Sequence, residues 1–214
     1  MKKIILILTI LFSLISCNKT QVLATEKYTI NKITEKESNS TFKYELITFE
    51  NERYKILESS VNEFVMNKID CDKKYINDNN IEWSDIASEI FFNVGQKDQY
   101  FTVNITYWFY IGSHPEHNYK TFTYDIQKRK FVNLAEISGL NGKKIYNQIV
   151  KQYYDKKYDL DYPFDSKYFI KENTDFFDKL ENMSYTIDEN GCIYLLFPSN
   201  EFFGKPDFDF ILKT

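Results

Sequence analysis

Glycine and proline are scarce in this chain, at six and four among 214 residues. A sequence so poor in both is neither collagen-like nor a flexible linker. Its seventeen tyrosines and nineteen phenylalanines carry too much apolar surface for a disordered segment. Basic charge is also short. Lys and Arg number 27 against 31 Asp and Glu, a formal net charge of −4, which argues against a nucleic-acid partner because phosphates demand a basic face. Histidines number two and cysteines three. Neither Cys71 nor Cys192 lies in a Cys-x-x-Cys, so the pair makes a poor structural zinc site. The sequence has no Gly-x-Ser-x-Gly frame, no phosphate-cradling glycine loop, no internal repeat and no low-complexity tract.

What is present first is an address. Lys2 and Lys3 precede an apolar run from Ile4 to Phe12 and then Leu14-Ile15-Ser16-Cys17, the layout of a secretory signal. The run falls short of the about 20 apolar residues of a membrane span, and no later run approaches that length. Leu-Ile-Ser-Cys resembles the lipobox of bacterial lipoproteins. The expectation is a signal peptide over residues 1–16 and Cys17 acylated, with palmitate-type chains, as the first residue of a membrane-anchored, extracytoplasmic lipoprotein of the cell envelope. Residues 17–26 then form a polar tether. Loss of residues 1–16 takes two lysines and no acid from the stated −4, which leaves about −6.

Periodicity divides the rest. Tyr28–Ile33 and Phe42–Ile47 alternate as half-buried strands around a turn at Glu37–Ser40. Leu57, Val61, Phe64, Val65 and Lys68 share one face of a helix that begins near Tyr54; a polar stretch, Asp70–Asn80, follows, and Trp83–Asn93 reads as a second helix. Tyr100–Ile111 is the clearest strand. A loop at Gly112–Asn118 leads to a strand at Tyr119–Asp125, a turn at Gln127–Arg129 and a strand at Phe131–Leu134. Asn141 is placed to cap a helix with the stripe Ile145, Ile149, Val150 and Tyr153. Ser166–Leu180 reads as another helix, Tyr185–Ile187 with Cys192–Phe197 as a hairpin whose turn uses Gly191, and Phe208–Leu212 as a last strand. The expected fold is α+β: antiparallel sheets with helices packed on one face, in two closely associated subdomains, residues 27–95 and 96–214.

The second half resembles the RsiV-type C-terminal domain, a family of envelope anti-sigma factors, lipoproteins and some peptidoglycan deacetylases, mostly of unknown function. Tyr110-Ile111-Gly112-Ser113-His114-Pro115 is similar to the family's tyrosine, glycine and Ala/Ser-His segment. Phe122-Thr123-Tyr124-Asp125 and Asn133-Leu134-Ala135-Glu136-Ile137 resemble its next strand and the helix that follows. Asn190-Gly191-Cys192-Ile193-Tyr194-Leu195-Leu196-Phe197 and Asn200-Glu201-Phe202-Phe203-Gly204 resemble its glycine hairpin and final aromatic segment. The chain departs from the pattern where the usual Thr-Gly after the aspartate is Lys128-Arg129. The resemblance implies a ligand-binding module at the envelope, and lysozyme recognition is its best-understood function.

That expectation places ligand contacts at Tyr110, Gly112, Ser113, His114 and His117, with interface anchors at Tyr153, Tyr154, Tyr158 and Tyr162. An acidic body steers a basic lysozyme-like muramidase toward it; the alternative is a peptidoglycan- or carbohydrate-binding accessory lipoprotein without catalysis. Cys71 and Cys192 either pair in an oxidising compartment or stay as inert thiols. No cofactor and no enzymatic activity are expected. His114 and His117 have a His-x-x-His spacing, but Pro115 breaks the helix that would align them on a metal. The paired acids Asp159 with Asp161 and Asp207 with Asp209 read as solvated loops rather than a glycosidase pair.

Overall fold

Alternating apolar residues build the larger of two sheets. The computed structural model describes residues 27–37, 40–79, 87–111, 114–155, 176–196 and 210–213. Six strands lie side by side in sequence order: β1 (Tyr28–Glu37), β2 (Ser40–Phe49), β3 (Ser88–Lys97), β4 (Tyr100–Ile111), β5 (His114–Asp125) and β6 (Lys130–Val132). Every pairing is antiparallel except that of β2 with β3, which meet in parallel only at Phe42–Ser88 and Lys43–Glu89. A parallel pair needs a crossover. Here it contains α1 (Lys55–Asp78), whose stripe Leu57, Val61, Val65 and Ile69 is fully buried in one core with Ile47, Val103 and Ile105.

Where β2 parts from β3, side chains of α1 take over the backbone bonding. Asn62 donates Nδ2–H to the Ile47 carbonyl at 2.8 Å and accepts the Ile47 N–H at 2.9 Å. Glu58 accepts the Phe49 N–H at 2.7 Å. These groups lie against an apolar core, where unpaired backbone would be costly.

The smaller sheet has the order β7 (Tyr185–Ile187), β8 (Ile193–Leu195) and β9 (Phe210–Leu212). Its core also takes in α2 (Leu134–Ser138), α3 (Gly142–Asp155) and α4 (Phe176–Glu181), through Leu134, Ile145, Ile149 and Leu180. Asn141 caps α3 by accepting the Lys144 N–H at 3.0 Å, as its residue type suggests. The outer edge of β9 is closed by α3. Gln152 exchanges two hydrogen bonds with the backbone of Ile211 and Gln148 two with that of Lys213, all between 2.7 and 3.0 Å.

The two sheets meet across a polar face. Phe101, Val103, Ile105, Tyr107 and Phe109 of β4 belong to the α1 side, so Thr102, Asn104, Thr106 and Trp108 occupy the opposite side. There Thr102 and Thr123 share a hydroxyl bond at 3.0 Å, Asn104 donates to Thr121 at 3.0 Å, and the Tyr185 hydroxyl bonds that of Thr123. A Cβ at Gly95 would fall 2.5 Å from the Ile187 carbonyl oxygen, so this backbone approach requires glycine.

The fold is α+β, with one helix-covered face on the larger sheet, and several local expectations are corrected. Residues 70–78 continue α1, because Asp72 and Ile76 extend the inward stripe at helical spacing. Residues 88–93 form a strand and not a helix: Ile90, Phe92 and Val94 alternate toward the core, and the Phe91-Phe92 doublet hides that period. Residues 95 and 96 both lie in β3, and the strands of the second sheet begin after β6. β5 begins at His114 rather than Tyr119, since the register Ile111–His114 leaves only two residues between β4 and β5. Of the two alternatives for the cysteines, both stand here as free thiols, Cys71 exposed on α1 and Cys192 in the β7–β8 turn. The part of the proposed 166–180 helix before Phe176 lies outside the described residues.

Candidate functional site

The distal half of the β4–β5 hairpin concentrates aromatic groups on the face that carries the small sheet. Trp108 and His117 are cross-strand partners, which brings side chains within reach on one face. Their rings stack at 4.8 Å with an interplanar angle of 29°. Tyr119 meets the imidazole edge-on at 5.6 Å. His117 is 5% exposed and its Nε2 has no hydrogen-bond partner among the described residues. Burial pushes its pKa below the ordinary 6.5, so the ring is neutral at neutral pH. Trp108 and Tyr110 are half-buried and present partly accessible aromatic surface beside it.

A second polar group sits under α1. Asp72, 3% exposed, accepts the Tyr107 hydroxyl at 3.2 Å on Oδ1. Lys68 stands 3.5 Å from the same oxygen and 4.1 Å above the Tyr107 ring. Burial raises the Asp72 pKa; Lys68, Ser88 and Tyr107 pull the other way. The cluster lies between α1 and the sheet, with Lys68 reaching solvent.

Asp125, fully buried, holds the turn that follows β5. Its Oδ1 accepts the N–H groups of Gln127 at 3.0 Å and Lys128 at 2.9 Å. Arg129 then takes φ = 54°, the left-handed region in which glycine is at ease.

Two surface grooves lie among the described residues. One, of about 450 Å³, lies where β2 and β3 separate, between Lys32, Glu45 and Phe91. Glu45 reaches into it to accept the Phe92 N–H at 2.7 Å, with Lys32 3.4 Å from its other oxygen. The other, of about 400 Å³, lies along β5 and β6 between Lys120, Phe131 and Met183.

The fold has counterparts among solved structures. The fold is that of a DUF3298 family protein. The crystal structure of such a protein from Pseudomonas aeruginosa PAO1 superposes with a TM-score of 0.50 at 11% identity, over 81% of this chain and 83% of that one. A DUF3298 member from Bacteroides fragilis gives 0.42 at 10% identity, again over 81% and 83%. No family model and no curated protein matches the sequence.

Within this DUF3298-like fold the expected contact residues separate. Tyr110 and His117 share the hairpin end, but His117 is buried and acts by supporting Trp108, which sequence reasoning missed. The signal was available, because Trp108 continues the even-numbered alternation of β4. His114 opens β5 and His117 follows three positions later in the same strand. Among the described residues no three His, Cys, Asp or Glu side chains cluster to hold a metal. Tyr153 and Tyr154 fall in the last turn of α3. Gly112, Ser113, Tyr158, Tyr162 and Cys17 with its leader lie outside the described residues, as do Asp159, Asp161, Asp207 and Asp209. Among the described residues no helix is long and apolar enough to cross a membrane.

Proposed function

We propose that this protein is a lipid-anchored binding protein of the bacterial envelope, without catalysis, whose ligand is a basic protein of the lysozyme-like muramidase class. The observation that carries the reading is the Trp108–His117 stack with Tyr110 beside it. Half-buried aromatics held rigid by a buried neighbour are the groups that anchor protein interfaces. The acidic balance of the chain, −4 before any processing, favours encounter with a basic partner through long-range steering. The likeness to RsiV-type domains at Tyr110–Pro115 points to the same ligand class, and the Leu14–Cys17 segment supplies the anchor.

Isothermal titration with hen-type lysozyme tests the reading. Binding that weakens with added salt and falls at least tenfold in Trp108→Ala supports it. No heat at low ionic strength, with folded protein confirmed by circular dichroism, refutes it.

The neutral imidazole of His117 beside an aromatic plane favours a second reading, a peptidoglycan glycan stacked on Trp108. Sedimentation with purified sacculi separates the two ligands.

A further inference from the structure

β6 is short for a reason written in its sequence. Asn133 leaves the strand to open α2: its side chain accepts the Glu136 N–H at 3.0 Å, and the Glu136 carboxylate accepts the Asn133 N–H at 3.2 Å, a reciprocal cap. β6 therefore pairs only with Thr123, Tyr124 and Asp125, while β5 continues back to His114.

The groove of about 400 Å³ lies where β6 would have continued. Its walls include Lys120 and Phe122 from one face of β5 and Thr121 and Thr123 from the other. Because successive residues alternate between faces, a groove lined by both opens on the strand's edge. Val132 and Asn133 bound one end. At the other, Ser184 donates its hydroxyl to the Tyr119 carbonyl at 3.0 Å. Between them, the Lys120–Phe122 edge has no strand partner among the described residues. This fold closes comparable edges with side chains: Asn62 at β2, Thr121 at β7, Gln148 and Gln152 at β9.

We propose that this notch receives an extended peptide segment of a partner protein, which adds to β5 as a short strand. A bare strand edge is matched by backbone donors and acceptors repeating at strand spacing, which a helix or an acyl chain does not offer. The walls select the side chains. Phe122 and Phe131, 6.1 Å apart, form an apolar surface on which Phe131 is 39% exposed. Lys120 stands 5.7 Å over the Phe122 ring and has no ion-pair partner among the described residues, whereas Glu136 is already held by Lys130 at 2.5 Å. In a chain of net negative charge, the uncompensated group of the notch is thus positive. The segment carries an apolar residue with an acidic neighbour. This site is independent of the Trp108 cluster and does not rest on the muramidase reading.

Two probes test it: the peptide Ac-Glu-Val-Phe-Val-Glu-NH2, and the same sequence N-methylated at every residue, which keeps the side chains but cannot donate to a ladder. Each is titrated to millimolar concentration into the ¹⁵N-labelled protein. The expected result is amide shifts confined to residues 119–123 and 131–133, slower exchange of the outward-facing Thr121 amide, and about tenfold weaker binding of the N-methylated peptide, or roughly 1.4 kcal/mol. Lys120→Glu, an exposed change that leaves the fold intact, weakens the first peptide several-fold. Absence of shifts, or equal binding of the two peptides, overturns the proposal.

Discussion

One hydroxyl serves both backbone groups of a strand residue: Thr121 Oγ1 accepts the Tyr185 N–H at 2.9 Å and donates to the Tyr185 carbonyl at 2.8 Å. The small sheet thus stands with the edge of β7 on the polar face of the large one, and this side chain takes the place of a neighbouring strand. Thr121→Val keeps the shape and removes both bonds. Loss of stability of about 1–3 kcal/mol is expected, the cost of buried backbone groups left unmet, with Thr121→Ser retaining most of it. Urea denaturation of the two variants measures the difference.

Gly95→Ala addresses the same junction by volume. The new methyl would press on the Ile187 carbonyl oxygen, and backbone cannot rotate away as a side chain can. A decrease of about 1–3 kcal/mol is expected for this small overpacking. Gly139→Ala is the contrast: with φ = 68° and open space around its Cβ position, it meets backbone strain alone, about 1 kcal/mol. Thermal melts of the pair distinguish contact from strain.

The His117 imidazole is neutral when folded because burial depresses its pKa. The unfolded chain takes up the proton first as pH falls, so the stability contributed by this group is present above about 6.5 and is lost as pH drops through that value toward the folded pKa. Unfolding free energies at pH 7.5 and 5.5 should differ in the wild type, and the difference should shrink in His117→Phe, which preserves the stack. A folded His117 that titrates at or above 6.5 by NMR would contradict this account.

Asp72 has the opposite sign. Its folded pKa is raised, chiefly by burial, so its contribution is fully present below the unfolded value near 3.9 and is lost as pH rises through the folded value. Asp72→Asn should therefore gain on the wild type as pH increases from 3 to 7, while an oxygen remains for the Tyr107 hydroxyl. Denaturant titrations across that range check the trend.

Much of this architecture is legible in the chain because local and tertiary demands agree. The stripe from Leu57 to Val65 has one period and one face to bury. Asn141 and the Asn133–Glu136 cap act within four residues, and Gly191, at φ = 77°, makes the hairpin turn where its type suggests. Legibility fails where a tertiary partner decides. Asp72, with Lys68 one turn before it, looks like the polar end of a helix until Tyr107 of β4 is brought to it. Pro115 reads as a loop residue, yet it sits in β5 opposite Tyr110, because the hairpin partner fixes the extended backbone. The candidate aromatic cluster is half legible: the resemblance covers Tyr110 and His117 stands out as one of two histidines, whereas Trp108 gains its place only through its cross-strand neighbour. Arg129, standing where the related pattern has glycine, holds its left-handed backbone at a cost, and Arg129→Gly should raise stability by up to about 1 kcal/mol in the same denaturation assay.

The glutamine clamps on β9 impose an order of events. Phe210 and Leu212 fill the small core, yet their strand is held by a helix some sixty residues earlier in the chain. While the polypeptide is still being synthesised, the amides of Gln148 and Gln152 bond water in place of β9, and the core that α3 shares lacks Phe210 and Leu212. Among the described residues the six-stranded half has no such late component and can consolidate first, so a platform is finished on the nascent chain before the second half is able to settle on it.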